Sequence, residues 1–314
     1  MLINILIFIL GIAVIIKSAD LFTDGAEGIA RAFRIPRAVI GITIVSLATT
    51  APEFTVSAIS SYMGRSGMAV GNALGSCLAN IALILAIAAI IKPIKLEARV
   101  LRQDIPFLIF VAVLLYFLIM DHSLDFGNGI FLCVLLILFF IAVVLREIRT
   151  KKTVTKEKSE NYNIAKDSVK FLIGAIGVAV SAKYAIVPSG IDIANFLGVP
   201  EVVIGLTMVA VGTSLPELFT AIVASFKNMG ELAIGNVVGA NILNILWVLG
   251  FSASIRPLEI DTETRMITVP LVIFITVLMF LFSRTKLTIS KKEGLIFLML
   301  YLAYIFYIFK FAYI

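Results

Sequence analysis

The chain is predicted to be an all-α polytopic membrane protein, with ten transmembrane helices arranged as two inverted five-helix repeats. Three observations lead there. The first is composition: 61% of the 314 residues are apolar, 15% are charged and the mean hydropathy is +1.08, against about 25% charged in soluble domains. The second is an internal repeat. The phrase GITIVSLATTAPE at 41–53 returns as GLTMVAVGTSLPE at 205–217, and GNALGSCLAN at 71–80 returns as GNVVGANILN at 235–244, always 164 residues later. Of the 40 aligned positions 12 are identical, among them Gly41/Gly205, Thr49/Thr213, Pro52/Pro216, Glu53/Glu217, Asn72/Asn236 and Asn80/Asn244. The third is a one-sided distribution of Lys and Arg.

A crossing takes roughly 20 apolar residues, and apolar stretches predict helices over 2–30, 37–62, 67–91, 104–120, 127–147, 166–195, 200–226, 231–254, 265–283 and 291–312. The first stretch has no basic leader and no small-residue cleavage site, so it reads as a retained helix and not a signal peptide. The long polar segment 146–170 reads as a linker by composition. It separates a first repeat, 1–145, from a second, 171–314, within one integrated membrane domain. The connections after the first, third, fifth, seventh and ninth helices hold 20 basic residues, whereas the other side holds Arg65, Arg256, Arg265 and Lys310. By the positive-inside rule the linker is cytoplasmic and both termini are extracellular. Five helices per repeat is an odd number, so the two copies run in opposite directions. The net charge of +6 lies between apolar segments, which points to a lipid bilayer as partner and excludes nucleic acid.

Glu53 and Glu217 fall mid-helix in apolar surroundings, where an ionised group is costly and is a functional candidate by default. Pro52 and Pro216 lack an N–H and deprive a carbonyl one turn back of its partner, so backbone oxygens from Ser46 to Ala48 and from Ala210 to Gly212 are candidates to face a cation. Thr49, Thr50, Thr213 and Ser214 add hydroxyls within a turn of each Glu. Asn72, Ser76 and Asn80 share one helical stripe, answered by Asn236, Ala240 and Asn244. Gly71/Gly75 and Gly235/Gly239 allow close helix approach. This all-oxygen inventory suits a hard cation such as Ca2+, whereas softer metals call for Cys or His. Cys77, Cys133 and Trp247 read as packing residues and His122 as a solvated loop residue. Lys17, Asp20, Asp24, Glu27 and Lys183 read as interfacial charges that snorkel.

At these residues the chain resembles the cation/Ca2+ antiporter superfamily, most closely the prokaryotic Na+/Ca2+ exchangers, whose repeats carry G-T-S-[LV]-P-E and G-N-x-x-G-S-x-x-x-[ND] patterns. Gly212-Thr-Ser-Leu-Pro-Glu217 matches in full and Ala48-Thr-Thr-Ala-Pro-Glu53 is a variant. The resemblance implies a non-enzymatic antiporter without cofactors, in which downhill Na+ drives Ca2+ out by alternating access and a first helix pair slides against the other eight. It implies Glu53 and Glu217 as shared carboxylates. Further ligands would come from Thr49, Thr50, Thr213, Ser214, Ser76, Asn80 and Asn244, with backbone oxygens at Ser46 and Ala210. Two positions depart from the pattern: Asn244 stands where several relatives have Asp, and Ala240 where they have Ser. The rival readings are H+/Ca2+ exchange with a Glu as proton carrier, a Na+-coupled transporter of a small organic anion, and a passive cation channel. Two Glu and no Arg in the repeated motifs argue against the organic anion.

Overall fold

A bilayer leaves backbone polar groups no partner but each other, so an apolar chain of this kind folds as helices. The computed structural model describes residues 2–151, 163–196 and 212–312. Helix α1 is Leu2–Phe33, and α2 consists of two pieces, Arg37–Thr49 and Ala51–Tyr62. Helix α3 is Ser66–Ile91, α4 is Val100–Leu118, α5 is Phe126–Lys151 and α6 covers 164–196. Helix α7 includes Leu215–Phe226, α8 is Gly230–Ile255, α9 is Thr264–Ser283 and α10 is Lys291–Ala312. Among the described residues seven helices are long and apolar enough to cross a membrane, eight if the pieces of α2, bent by 46°, form one span. The chain is a multi-pass membrane protein.

Boundaries differ from expectation where charge misled. The segment 146–170 is not wholly a linker: α5 continues to Lys151 and α6 begins at Ile164, capped by Asn163, whose Oδ1 accepts from the Lys166 amide at 3.0 Å. Charged side chains are good helix formers when the helix leaves the bilayer. Residues 152–162, and 200–211 of the expected seventh helix, lie outside the described residues.

The offset of 164 recurs in the elements themselves. Ser66–Ala79 answers to Gly230–Leu243, and wide π-helical turns open at Asn80–Leu85 and Asn244–Leu249, then at Val100–Asp104 and Thr264–Thr268. Of four two-residue strands, β1 (Ile94–Lys95) and β3 (Leu258–Glu259) keep the same offset, and β2 (Ser123–Leu124) and β4 (Thr288–Ile289) correspond at 165. β1 pairs antiparallel with β4, and β2 with β3. The connection after α3 therefore meets the connection after α9, and the one after α4 meets the one after α8.

Helix α8 forms the centre, 94% of its apolar window buried, with α3 beside it at 72%, whereas α1 buries 17%. Between apolar helices in lipid the attraction is packing and hydrogen bonding, and small residues allow it. A Cβ on Gly239 would come within 2.6 Å of the Ile42 carbonyl, and one on Gly235 within 2.4 Å of the Ala38 carbonyl, so α8 crosses the first piece of α2 backbone against backbone. Residues 202–206, at the same offset from Ala38–Ile42, lie outside the described residues.

Helices α1 and α6 form a second close pair. They run antiparallel: Phe22 packs against Phe171 with ring centroids 4.6 Å apart and planes tilted by 33°, Ser181 donates to the Gly11 carbonyl at 2.8 Å, and Asn4 donates to Asp192 at 3.1 Å. A Cβ on Gly25 would meet the Phe171 nitrogen at 2.4 Å, and one on Gly174 the Phe22 nitrogen at 2.4 Å. An apolar seam of Ile15, Ala19, Val178, Ala182 and Ile186 joins this pair to Leu215 and Val223 of α7, separate from the main core.

The charges of α1 do not merely snorkel. Lys227, after α7, contacts the carboxylates of Asp20 and Asp24 at 2.5 Å each and the Asp20 carbonyl at 3.2 Å. Burial opposes the Lys227 charge, but hydrogen bonds to Asp20 and Asp24 outweigh it and raise its pKa above the ordinary lysine value. Glu27 pairs with Arg31 at 2.6 Å and also with Arg37. Opposite charges half-removed from water hold one another better than each holds solvent. Lys17, exposed, pairs with Asp20 at 3.2 Å, and Lys183 lies over the Tyr184 ring.

The α1–α6 seam has a testable consequence. Gly174→Val forces a methyl group into the Phe22 backbone and is expected to destabilise by about 1–3 kcal/mol or more, read as a lower thermal midpoint in detergent. Leu172→Val, on the exposed face, is expected to melt close to wild type. Equal midpoints for Gly174→Val and wild type would mean that the seam is loosely packed.

Candidate ion-binding site

Each site carboxylate is placed by a break in its helix. At Thr50 (φ −79°, ψ −5°) the first piece of α2 ends, and Pro52, in the first turn of the second piece, cannot donate to the carbonyl one turn back. Glu53 follows in that first turn, fully buried. Ser214 (φ −88°, ψ 7°), Pro216 and Glu217 repeat the arrangement at the start of α7. Ordinary π-helical geometry is rare, and it is enriched at functional sites; here π turns begin at Asn80 and Asn244.

The two halves meet at Glu53. Its Oε1 accepts from Ser76 at 3.3 Å and from Ser214 at 3.0 Å, and the two hydroxyls are 3.1 Å apart. Asn72 donates to the Glu53 carbonyl at 3.0 Å and to Ser57 at 2.9 Å. Reciprocal cross-links tie the halves together: Thr49 donates to Asn236 Oδ1 at 3.1 Å, and Thr213 to Asn72 Oδ1 at 3.2 Å. These two bonds are the same bond at the 164 offset. Glu217 lies near Glu53, beside Thr49 and Thr50.

Several buried polar atoms here have no hydrogen-bond partner among the described residues: Glu53 Oε2, both carboxyl oxygens of Glu217, Thr50 Oγ1, Asn80 Oδ1 and both side-chain polar atoms of Asn244. Buried polar atoms are nearly always satisfied, so such a concentration demands an account. The atoms are predominantly oxygens on hard donors, the set a Ca2+ or Na+ ion coordinates. Among the described residues no three His, Cys, Asp or Glu cluster as a metal site, so the donor set is two carboxylates supplemented by neutral oxygens.

Glu53, Glu217, Thr49, Thr50, Thr213, Ser214, Ser76, Asn80 and Asn244 thus fall on adjoining elements, and all but half-buried Thr213 are buried. Ala210 lies outside the described residues. Ser46 differs from expectation: its carbonyl keeps its helical partner, the Thr50 amide at 2.9 Å, and has only a second lone pair left, approached by the Thr49 hydroxyl at 3.4 Å. The reason is register, since Pro52 deprives Ala48 of a donor and not Ser46. Sequence reasoning missed Asn241, which accepts from Asn80 at 3.0 Å and donates to the Cys77 carbonyl at 3.2 Å. It stands opposite Cys77 in the repeat, so matching identical positions hid it; a third amide in a wholly buried helix was the available signal. Trp247 packs as expected, but against Phe54, next to Glu53, with ring centroids 4.3 Å apart at 15°. His122 is an exposed loop residue and Cys77 and Cys133 are free.

A helical multi-pass protein with two carboxylates and neutral oxygens gathered at the centre of a repeated fold defines an ion-handling membrane protein. The chain belongs to the sodium/calcium exchanger family, whose model matches residues 3–148 and 168–310. It is 31% identical to the sodium/calcium exchanger MaX1 of Methanosarcina acetivorans, over 96% of this chain and 97% of that one. It is 37% identical to the inner membrane protein YrbG of Escherichia coli, over 83% and 82% of the two chains. Among solved structures, the sodium-calcium exchanger NCX_Mj superposes with a TM-score of 0.84 at 31% identity, covering 96% of this chain and 97% of that one.

The reciprocal bonds are measurable. A double-mutant cycle with Thr49→Val and Asn236→Ala is expected to give a coupling of about 0.6 kcal/mol, at most roughly 1.7, the range of interhelical hydrogen bonds in membranes. Additive effects on the unfolding free energy would remove this bond from the account of how the halves are joined.

Proposed function

We propose that the chain is a secondary antiporter that exchanges Ca2+ for Na+ by alternating access at a central site built on Glu53 and Glu217. The observation that carries the reading is the meeting of both halves on one buried carboxylate, with unpartnered oxygens around it. Two ionised Glu balance one Ca2+ or two Na+, which makes the two ions competitors for one charge. Thr49, Thr50, Thr213, Ser214, Ser76, Asn80 and Asn244 supply neutral oxygens, joined by Ala210 and by the remaining lone pair of Ser46.

The proposed frame is ten spans in two inverted repeats, 1–145 and 171–314, joined through 146–170. The crosswise pairing of β1 with β4 and β2 with β3 supports inversion. A connection after the third helix of one copy meets one after the fourth helix of the other, as is expected of copies that run in opposite directions. Both termini are placed outside and the linker in the cytoplasm. Helices α1 and α6, packed on each other and set on α7 through a seam of their own, are the proposed mobile pair. Their glycine-lined contact moves as one piece, while the polar links to the remainder, Lys227 with Asp20 and Asp24 and Arg37 with Glu27, are of the kind that can break and re-form.

The decisive experiment is uptake of radiolabelled Ca2+ into proteoliposomes. Uptake is expected to follow an outward Na+ gradient at clamped pH, and Glu53→Gln or Glu217→Gln is expected to reduce it to background while the protein stays monodisperse. Wild-type flux in either variant would remove that Glu from the site. Flux that ignores Na+ and follows a pH gradient would make H+ the driving ion.

Orientation has its own check. With Cys77 and Cys133 replaced by Ala, Asp121→Cys is expected to react with an impermeant thiol reagent in intact cells and Lys292→Cys only after permeabilisation. The opposite pattern would invert the topology.

A further inference from the structure

On the outer face of the α1–α6 pair lies a cavity of about 400 Å3, within the roughly 300–1,000 Å3 range of small-molecule sites. We propose that it binds one anionic phospholipid. Leu21 from α1 and Val169 and Ile173 from α6 give it an apolar lining, and Asn163, Lys166 and Lys170 line it too. Val169 and Ile173 are 53% and 56% exposed, and on a membrane helix that face meets acyl chains. Lys166, Lys170 and Ile173 stand at i, i+4 and i+7, on one stripe of the helix. Two cations therefore sit a turn apart above an apolar groove, in the order of a phospholipid: anionic head group, then chain.

The local charges favour an anion. Asp167, the nearest acid on α6, is 16% exposed, turned against Gly28 of α1, and reaches Lys170 only at 3.8 Å. Lys166 is not salt-bridged among the described residues, and the helix terminus is already capped, since Asn163 Oδ1 takes the Lys166 amide. The lysine side chains, and not the terminal amides, are what the site offers to a phosphate. The adjoining segment 152–162 holds Lys152, Lys156 and Lys158 against Glu157 and Glu160; it is net basic and a poor counter-charge for these lysines. A zwitterionic lipid supplies no net charge. The leaflet, cytoplasmic, follows from the proposed orientation, but the site does not depend on it or on which ions are exchanged.

Native mass spectrometry of the delipidated full-length protein with equimolar phosphatidylglycerol and phosphatidylcholine tests this. One phosphatidylglycerol is expected to be retained in preference. A lysine near an anionic lipid surface contributes about fivefold, so Lys166→Gln with Lys170→Gln is expected to weaken retention roughly 25-fold. Lys291→Gln with Lys292→Gln, exposed at the start of α10, is expected to retain it. Ile173→Trp fills the groove without touching the lysines and is expected to lower retention too. Equal retention of both lipids, wild-type retention in the lysine pair, or wild-type retention in Ile173→Trp would each overturn the site. Glycerol phosphate competing as strongly as the whole lipid would assign the lysines to a free phosphate ester instead.

Discussion

Everything in this structure accommodates two carboxylates in a place where water is scarce. A buried charge without partners is more costly than any single packing defect, so Glu53 and Glu217 impose a demand for oxygens and donors on whatever surrounds them. The fold meets it by bringing two copies of one motif face to face, so that each copy completes the other. Ser76 of one half and Ser214 of the other converge on Glu53, and neither half alone holds the set. The Pro-induced break matters for the same reason: it puts Glu at the start of a helix piece, near unpaired amides that favour negative charge, and it leaves a carbonyl unclaimed at membrane depth.

The duplication is imperfect where the chemistry is densest. Position 76 is Ser and its counterpart, 240, is Ala; accordingly Glu53 accepts two hydroxyls, whereas neither oxygen of Glu217 has a partner among the described residues. The two carboxylates are therefore inequivalent in their surroundings. In the proposed site the neutral oxygens left unpartnered are those of Thr50, Asn80 and Asn244. With Asn at 244 in place of an acid, the proposed site carries only the two Glu charges when ionised. A third monovalent ion would then bring uncompensated charge into low dielectric.

Much of this was legible in the sequence because it rests on local rules. The 164 offset, Pro before Glu and the stripe Asn72–Ser76–Asn80 are covalent patterns, and the structure keeps them element for element. What was not legible depends on distance in space. The ion pairs of Lys227 with Asp20 and Asp24 join residues about 200 positions apart, and no periodicity announces them. The π turns at Asn80 and Asn244 come from backbone hydrogen bonding that side-chain patterns do not encode. Asn241 was concealed by the repeat itself, since its counterpart is Cys77.

The glycines explain how such a site can be both closed and movable. Backbone-to-backbone contact at Gly235 and Gly239 fastens α8 to the first piece of α2, the half of that helix preceding Glu53. Backbone contact at Gly25 and Gly174 fastens α1 to α6 in the same way. Each contact is intolerant of a single methyl group, so each pair behaves as one solid. The surface between the α1–α6 pair and α7 is different: Ile, Ala and Val side chains of the pair meet Leu215 and Val223 through interchangeable apolar contacts, which slide past one another at little cost because lipid and side chain are equally apolar. In the proposed cycle the rigid contacts keep the ligand oxygens in register and the apolar seam takes up the motion. The ion pairs of α1, Asp20 and Asp24 with Lys227 and Glu27 with Arg37, then set which position the pair rests in.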